Sequence, residues 1–569
     1  MRIGMVFGVW ALVSSAGLAQ TLLKARPLLD DEAMAHLAVY RVDIERKGSD
    51  TRGALTLELG GGRIVEPLDL ATGARKRLYF AAPAQTPFGG YAFWRLVWAG
   101  EDGERIVQEL PTPLHTRLPV VFVGDSIGGW EGLQQIRLPF GSALATDHEA
   151  FSPPLHAYYM RPVELPDDWR ALLGLPLMVL TDGAERLSDA QWGAIRVWLA
   201  LGGTLVVSAG SFGAGANLLP LADLTPRLSL RDAPVRPNLG SYAPPREPVR
   251  LLRPESLNGY RVVLGDARTP VLLYRAFGGG NLYLFLGDLN APAWRGWQHL
   301  PAMLQTIVSS SAFPTERIEG TFTRAKSTPP ESRVARVWWG VGVLGVYCVG
   351  VWQLAAWLRR RRRLASVFAP LAGITVAACA CVLLAAPRAQ SQPLTAYRTL
   401  AIASDALAVE AGSVQGTLQA GAHTIRLPEG ALLLRVEPSP QARGLTESSA
   451  TIRTAGWTVM ELTYLCPATR FPRVRARRVG QTVVVSNRSA HPLLNLRLLV
   501  REARDQEPRT LWQLGRLSGG QTARAPLKAP IPEGAYLYLT ATSDPNACEP
   551  IQIRGADVKE VVQVFVSVD

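Results

Sequence analysis

Three aspartates share a setting that could do chemistry. Gly124-Asp125, Thr181-Asp182 and Gly287-Asp288 each follow a short apolar run. Carboxylates converging at the ends of parallel strands could hold Mg²⁺ or another hard cation through oxygen ligands. Aspartate is also a turn former, and flanking glycines strengthen that reading, so no metal is expected. Ala209-Gly210-Ser211-Phe212-Gly213 follows another apolar run and has the outline of a strand-to-helix elbow that exposes a hydroxyl on a tight turn. Ala209 departs from that pattern by holding its first glycine position. A serine nucleophile also needs a base held by a third group. His299 lies in the later half of the same region, while His148 and His156 precede the elbow. Trp294 and Trp297, with Arg295 between them, could form a recognition patch; aromatic cover for a sheet is the plainer use. Gly278-Gly279-Gly280 precedes an apolar run rather than opening a helix, so it lacks the setting of a phosphate loop. No zinc-ligand spacing and no HExxH pattern occurs, and no cofactor is expected.

Positioning these residues requires a sheet. Pro119–Val123, Leu177–Thr181 and Thr204–Ser208 are short, continuously apolar runs, the pattern of strands buried on both faces. Between the last two, Ser188 can cap a helix whose Trp192, Ile195 and Leu199 form one apolar stripe, and Gly202-Gly203 ends it. Strand, helix, strand with short connections predicts a parallel pair. Asn281–Leu286 reads as a further buried strand, and a helix over about 299–308 closes the region. Before it, His36–Arg46, Gly53–Leu59, Arg75–Ala82 and Gly90–Ala99 alternate apolar and polar residues, as a β-sandwich does. After residue 386, Ala431–Val436, Trp457–Leu465, Gln481–Ser486, Leu494–Val500, Ala535–Thr540 and Val561–Val568 are again strand-like.

The stretch from Pro166-Asp167-Asp168-Trp169 through LMVLTDGAERLSDAQWGAIRVWLALGGTLVVSAG resembles the class I glutamine-amidotransferase-like fold. More narrowly, it resembles non-catalytic versions of that domain in bacterial membrane proteins, where β-sandwich modules flank it. GGGNLYLFLGDLN (Gly278–Asn290) is similar to the late strand of the same fold. The resemblance covers about Leu118–Glu319. It implies the fold and not the reaction, because the family's cysteine nucleophile and late His-x-Glu pair have no counterpart here.

Net charge is +13, with 60 Lys and Arg against 47 Asp and Glu. Outside one run the arginines are spread and carry no interleaved aromatics, so nucleic acid is not an expected partner. That run is Arg359-Arg360-Arg361-Arg362-Arg363, between the apolar segments Val337–Leu358 and Leu364–Ala386. Each segment is long enough for a hydrocarbon core of about 30 Å, and short arginine loops stay on the cytoplasmic side. The expectation is therefore a two-helix transmembrane hairpin in a bacterial inner membrane, its loop against anionic headgroups and both soluble regions outside. Residues 1–19 read as a secretory signal peptide. The predicted order is signal peptide, β-sandwich (20–117), amidotransferase-like α/β domain (118–319), linker (320–336), helix (337–358), loop (359–363), helix (364–386) and a β-rich region (387–569). Cys466 and Cys548 would share an oxidising compartment and could pair. The function expected is a non-enzymatic, membrane-anchored envelope protein with exported recognition or assembly domains that meet other envelope proteins. The alternatives are a membrane-tethered serine hydrolase using Ser211 and a carbohydrate- or metabolite-binding receptor.

Overall fold

The computed structural model describes residues 21–29, 37–59, 62–83, 94–110, 118–125, 155–212, 225–231, 233–257, 259–310, 352–353, 394–418, 421–428, 431–437, 442–446, 449–454, 458–501, 508–527, 531, 536–554 and 558–568. In the N-terminal region, strands Thr21–Pro27, Leu37–Arg46 and Arg75–Pro83 form one antiparallel sheet. Strands Gly62–Leu70, Thr51–Leu59, Trp94–Gly100 and Arg105–Leu110 lie in a second. Because successive side chains point to opposite faces, Tyr40, Val42 and Ile44 of the first sheet meet Leu55, Leu57, Trp94 and Trp98 of the second in one core.

The middle region is a seven-stranded sheet. Its order is Arg261–Gly265, Pro270–Phe277, Gly280–Phe285, Thr204–Ser208, Leu177–Leu180, Leu118–Val123, Leu155–Met160. The last five run parallel, and the first two are antiparallel additions. Four helices accompany it: α1 (Trp169–Leu172), α2 (Asp189–Ala200), α3 (Pro292–Arg295) and α4 (Leu300–Ser310). Ser188 caps α2 reciprocally: Gln191 N donates to Ser188 Oγ (3.3 Å) and Ser188 N to Gln191 Oε1 (2.8 Å). On one face Met178, Leu180 and Leu205 pack with Trp192, Ile195 and Trp198 of α2. On the other, Val179, Val206 and Phe285 pack with Trp294, Met303 and Ile307. The Gly278-Gly279-Gly280 turn lies against the end of α2. Gly279 N donates to Ala200 O at 2.7 Å, and a Cβ on Gly280 would sit 1.9 Å from Leu199 O. Its glycines serve this close approach, not a phosphate.

The C-terminal region is built on an eight-stranded sheet. Its order is Leu432–Glu437, Thr458–Pro467, Ala408–Leu418, Leu394–Ile402, Val558–Ser567, Tyr536–Ser543, Leu493–Arg501, Arg509–Leu517. A three-stranded sheet of Val474–Val479, Thr482–Asn487 and Thr522–Pro526 packs on part of it, sharing Val483 and Val485 with Leu496 and Leu498 in one core. The two outer regions also touch. Strand Ala442–Thr446 pairs parallel with Gly62–Leu70 at Leu445 and Ile64, so a second eight-stranded sheet runs from one region into the other. Val409, Ala411 and Leu465 add to the core beneath α2, so all three regions form one packed body.

Two expectations are corrected. Among the described residues the chain is predominantly β, with α-helices of 4, 12, 4 and 11 residues, and an amidotransferase-like α/β domain is not seen. The likeness rested on one strand–helix–strand unit and the late strand within Gly278–Asn290, local elements that many sheets share and that do not specify a family. Nor is a transmembrane helical hairpin seen: no described helix is long and apolar enough to cross a membrane. Residues 337–386, with Arg359–Arg363, lie outside the described residues apart from 352–353, as do residues 1–19. The inner-membrane address, which rested on that hairpin and on the signal segment, is corrected with it.

Each outer region is tied by a buried arginine at an apolar phase of strand alternation. Arg46 follows Tyr40, Val42 and Ile44 on their buried face. Its guanidinium donates to Glu104 Oε2 (2.7 Å), Asp102 Oδ2 (2.7 Å), Thr21 Oγ1 (2.8 Å) and Ser49 O (2.7 Å). Arg398 stands between Ala396 and Leu400, both buried. It grips Glu410 through two bonds of 2.7 Å and donates to Glu560 Oε2 at 2.7 Å. Tyr464 Oη donates to Glu410 Oε1 at 2.5 Å. A Cβ on Gly412 would lie 2.0 Å from the Tyr464 ring, so glycine is what admits that ring.

Candidate functional site

Parallel strands deliver their following residues to one edge of the sheet. Here that edge collects Asp125 after Leu118–Val123, Asp182 after Leu177–Leu180, Ser208 and Ser211 at the end of Thr204–Ser208, and Asp288 after Gly280–Phe285. Ser211 stands at this edge with its hydroxyl held by two neighbours. Ser211 Oγ donates to Asp288 Oδ1 at 2.6 Å and lies 2.7 Å from Ser208 Oγ. Ser208 Oγ in turn accepts from Leu289 N at 3.0 Å. The turn is held close: Gly210 N donates to Gly287 O (2.9 Å), and a Cβ on Gly210 would lie 2.3 Å from Gly287 C.

Asn290 extends the chain of bonds. Its N–H donates to Asp288 Oδ1 (2.9 Å) and its Nδ2 to Asp182 Oδ1 (2.8 Å), while its Oδ1 accepts from Arg295 Nη2 (3.3 Å). Asp125 N donates to Asp182 O at 2.8 Å, and the Asp125 carboxylate pairs with Arg186. The result is a continuous network, Ser208–Ser211–Asp288–Asn290–Asp182, with an Asp125–Arg186 pair beside it. The three aspartates are thus brought to one edge but held apart by amide, hydroxyl and guanidinium donors. Among the described residues no group of three His, Cys, Asp or Glu side chains could hold a metal ion.

His299 is placed elsewhere. Its ring packs against Tyr242 (5.3 Å between centroids) and Trp297 (5.7 Å), and Nε2 lies 3.0 Å from Gln298 Nε2. In a serine triad an imidazole stands between nucleophile and acid. Here the acid meets the hydroxyl directly, and His148 lies outside the described residues. The tryptophans are not a recognition patch. Trp294 and Trp297 are 1% and 4% exposed, cross each other edge to face at 5.4 Å, and cover the sheet beside Phe285. Trp297 Nε1 donates to Ala243 O at 2.7 Å. Bulk and apolarity win over surface display for indoles at this position.

The Cys466–Cys548 disulfide is not formed; both are free, buried thiols. Cys466 belongs to the core of Leu462 and Tyr464, and Cys548 to that of Leu493 and Ala547, so different neighbours surround the two thiols. Burial, and then the Glu410 charge, pushes the Cys466 thiol well up; burial pushes Cys548 up to about 12. Neither is a reactive thiolate near neutral pH.

Sequence reasoning missed Ser208 and Asn290. Signals for both existed: two serines three apart where a buried strand ends, and an Asn two residues beyond Asp288, where an Asx turn closes.

No family model matches the chain, and no curated protein matches it. Among solved structures, a cytoplasmic protein from Salmonella typhimurium LT2 aligns at 15% identity over 34% of this chain and 98% of its own, with a TM-score of 0.24. A second cytoplasmic protein from Salmonella typhimurium aligns at 13% identity over 34% and 100%, also at 0.24. An exo-β-1,4-mannosidase from Opitutaceae bacterium strain TAV5 aligns at 14% identity over 34% and 35%, at 0.21. Scores this low carry no argument about fold or activity, and none of these three is an amidotransferase.

Proposed function

We propose that this chain is a non-enzymatic recognition or assembly protein. One observation carries the reading: at the edge where a parallel sheet would keep a reactive site, Ser211 is bonded to Ser208 and Asp288 with no imidazole between hydroxyl and acid. The side chains there satisfy one another, which is how a scaffold holds a turn and not how an enzyme holds a substrate. Support also comes from the packing of three regions into one body by a shared sheet and a shared core, which leaves extended sheet faces as its working surfaces.

Ser211→Ala tests this. The variant should fold and restore whatever phenotype follows loss of the protein, with stability lowered by about 2–3 kcal/mol for two lost hydrogen bonds, one of them to a carboxylate. A correctly folded Ser211→Ala chain that fails to restore the phenotype would overturn the reading. A serine hydrolase is the second reading, favoured by the 2.6 Å contact that orients Ser211 Oγ toward Asp288. Covalent labelling of Ser211 by a fluorophosphonate, located by peptide mass, would establish that alternative in place of the first.

A further inference from the structure

The outer face of the three-stranded sheet is basic and unpartnered among the described residues. The sequence RVRAR (473–477) alternates, so Arg473, Arg475 and Arg477 point outward while Val474 and Ala476 are buried. Two residues of strand span about 6.8 Å, which sets the spacing of these guanidinia along the edge. The register extends the face sideways. Arg477 stands opposite Val484, and Val484 opposite Arg524, so the second basic column lies two strands over, about 10 Å away. Arg475 stands opposite Ser486, and Ser486 opposite Thr522, whose hydroxyls are 3.1 Å apart. Arg488 extends the ladder next to Arg473 but is paired with Asp405. Arg473, Arg475, Arg477 and Arg524 have no acid partner among the described residues, and all four are exposed.

We propose that this face docks an acidic polysaccharide, a chain of sugars carrying carboxylates or sulfates. Charge complementarity makes the partner anionic. Guanidinium forks match carboxylate and sulfate oxygens through paired hydrogen bonds. The interleaved Ser486, Thr522 and Thr482 hydroxyls suit the hydroxyls of a sugar chain. The face carries no aromatic residue, and single-stranded nucleic acid would use aromatic platforms for its bases. Its apolar members, Val479 and Val484, are small, whereas an interfacial membrane anchor presents Trp, Phe or Leu. The proposal stands apart from the preceding reading of Ser211, since an enzyme could dock a polymer in the same way.

The test is native electrophoresis of the full chain through gels containing alginate, a polymer of uronic acids, with dextran gels as the neutral control. Alginate should retard the protein and dextran should not, and the retardation should fall between 50 and 200 mM salt as screening grows. Arg475→Gln/Arg477→Gln/Arg524→Gln should weaken apparent affinity about tenfold, while the matching triple Arg→Lys variant keeps most of it. On the unaltered protein, alginate should protect Arg475, Arg477 and Arg524 from phenylglyoxal. Unchanged retardation of a folded Gln variant would overturn the proposal, as would absence of protection. Tighter binding to a single-stranded oligonucleotide or to phosphatidylserine vesicles than to alginate would also overturn it.

Discussion

Arg46 and Arg398 are buried arginines of the two outer regions, one at the end of its strand and one mid-strand, and they are held in different ways. Both sit on the buried phase of a strand, and both meet two carboxylates. The partners of Arg46 border solvent: Asp102 is 31% and Glu104 18% exposed. Of the partners of Arg398, Glu410 does not, at 2%, and Glu560 does so less, at 12%. The difference teaches what each arginine is for. At the N-terminal sandwich the guanidinium closes a rim, and water can take over part of its role. In the C-terminal sheet it neutralises Glu410, which water barely reaches; burial alone would lower the Arg398 guanidinium's pKa, but Glu410 drives it up.

The largest expected effect follows. Arg398→Met strands Glu410 without a cation in a dry site and should cost about 3–5 kcal/mol, read as a lower urea midpoint of the full chain. If the loss were below about 1 kcal/mol, the contrast between the two arginines would collapse. Arg46→Met should cost less, about 1.5–3 kcal/mol, because Asp102 and Glu104 regain hydration.

Acid sharpens the same contrast. Burial raises the Asp102 carboxyl, but bonds from the Glu104 N–H and the Arg46 guanidinium together prevail and hold it below the usual 3.8. A carboxyl lowered on folding contributes stability above its unfolded value, and that contribution fades as pH falls below about 3.8. Protection of the Thr21–Pro27 amides, relative to their intrinsic exchange rate at each pH, should therefore fall below that pH in the native chain, and in Arg46→Met its pH dependence should flatten. The smallest effect belongs to Gln108. Its side chain caps the free edge of Thr21–Pro27 through Ala25 N (3.0 Å) and Ala25 O (3.1 Å). Gln108→Ala should cost about 1 kcal/mol and raise exchange at Ala25 alone.

The two arginines also show where sequence reading succeeds and where it stops. Strands Leu118–Val123, Leu177–Leu180 and Thr204–Ser208 are legible because each is continuously apolar, and Ser188 is legible because a cap acts within three residues of itself. The gathering of Asp125, Asp182, Asp288 and Ser211 at one edge follows from parallel strands alone. What these residues bond to does not follow, because Ser211 and Asp288 are 77 residues apart and their contact depends on sheet order. Arg398 was visible as a charge among Leu394, Ala396, Leu400 and Ile402, a phase that demands a buried partner. Its partners depend on register, which places Glu410 opposite Leu400 and Glu560 opposite Ala396. The amidotransferase likeness failed for the converse reason: one strand–helix–strand unit and one late strand were read as a whole domain. Trp294 and Trp297 were ambiguous because an indole serves a core and a surface equally well.

The single join between Ile64 and Leu445 has a consequence for synthesis. Strand Gly62–Leu70 leaves the ribosome about 380 residues before the strand that covers it. At about 5–20 residues per second that interval is on the order of 20–80 s. Throughout it, one side of Gly62–Leu70 presents unpaired backbone donors and acceptors to every neighbouring chain. A nascent chain of this protein is therefore exposed to wrong pairing for longest at its earliest-made sheet, and its yield in a cell should track the speed of translation more closely than the stability of the finished molecule.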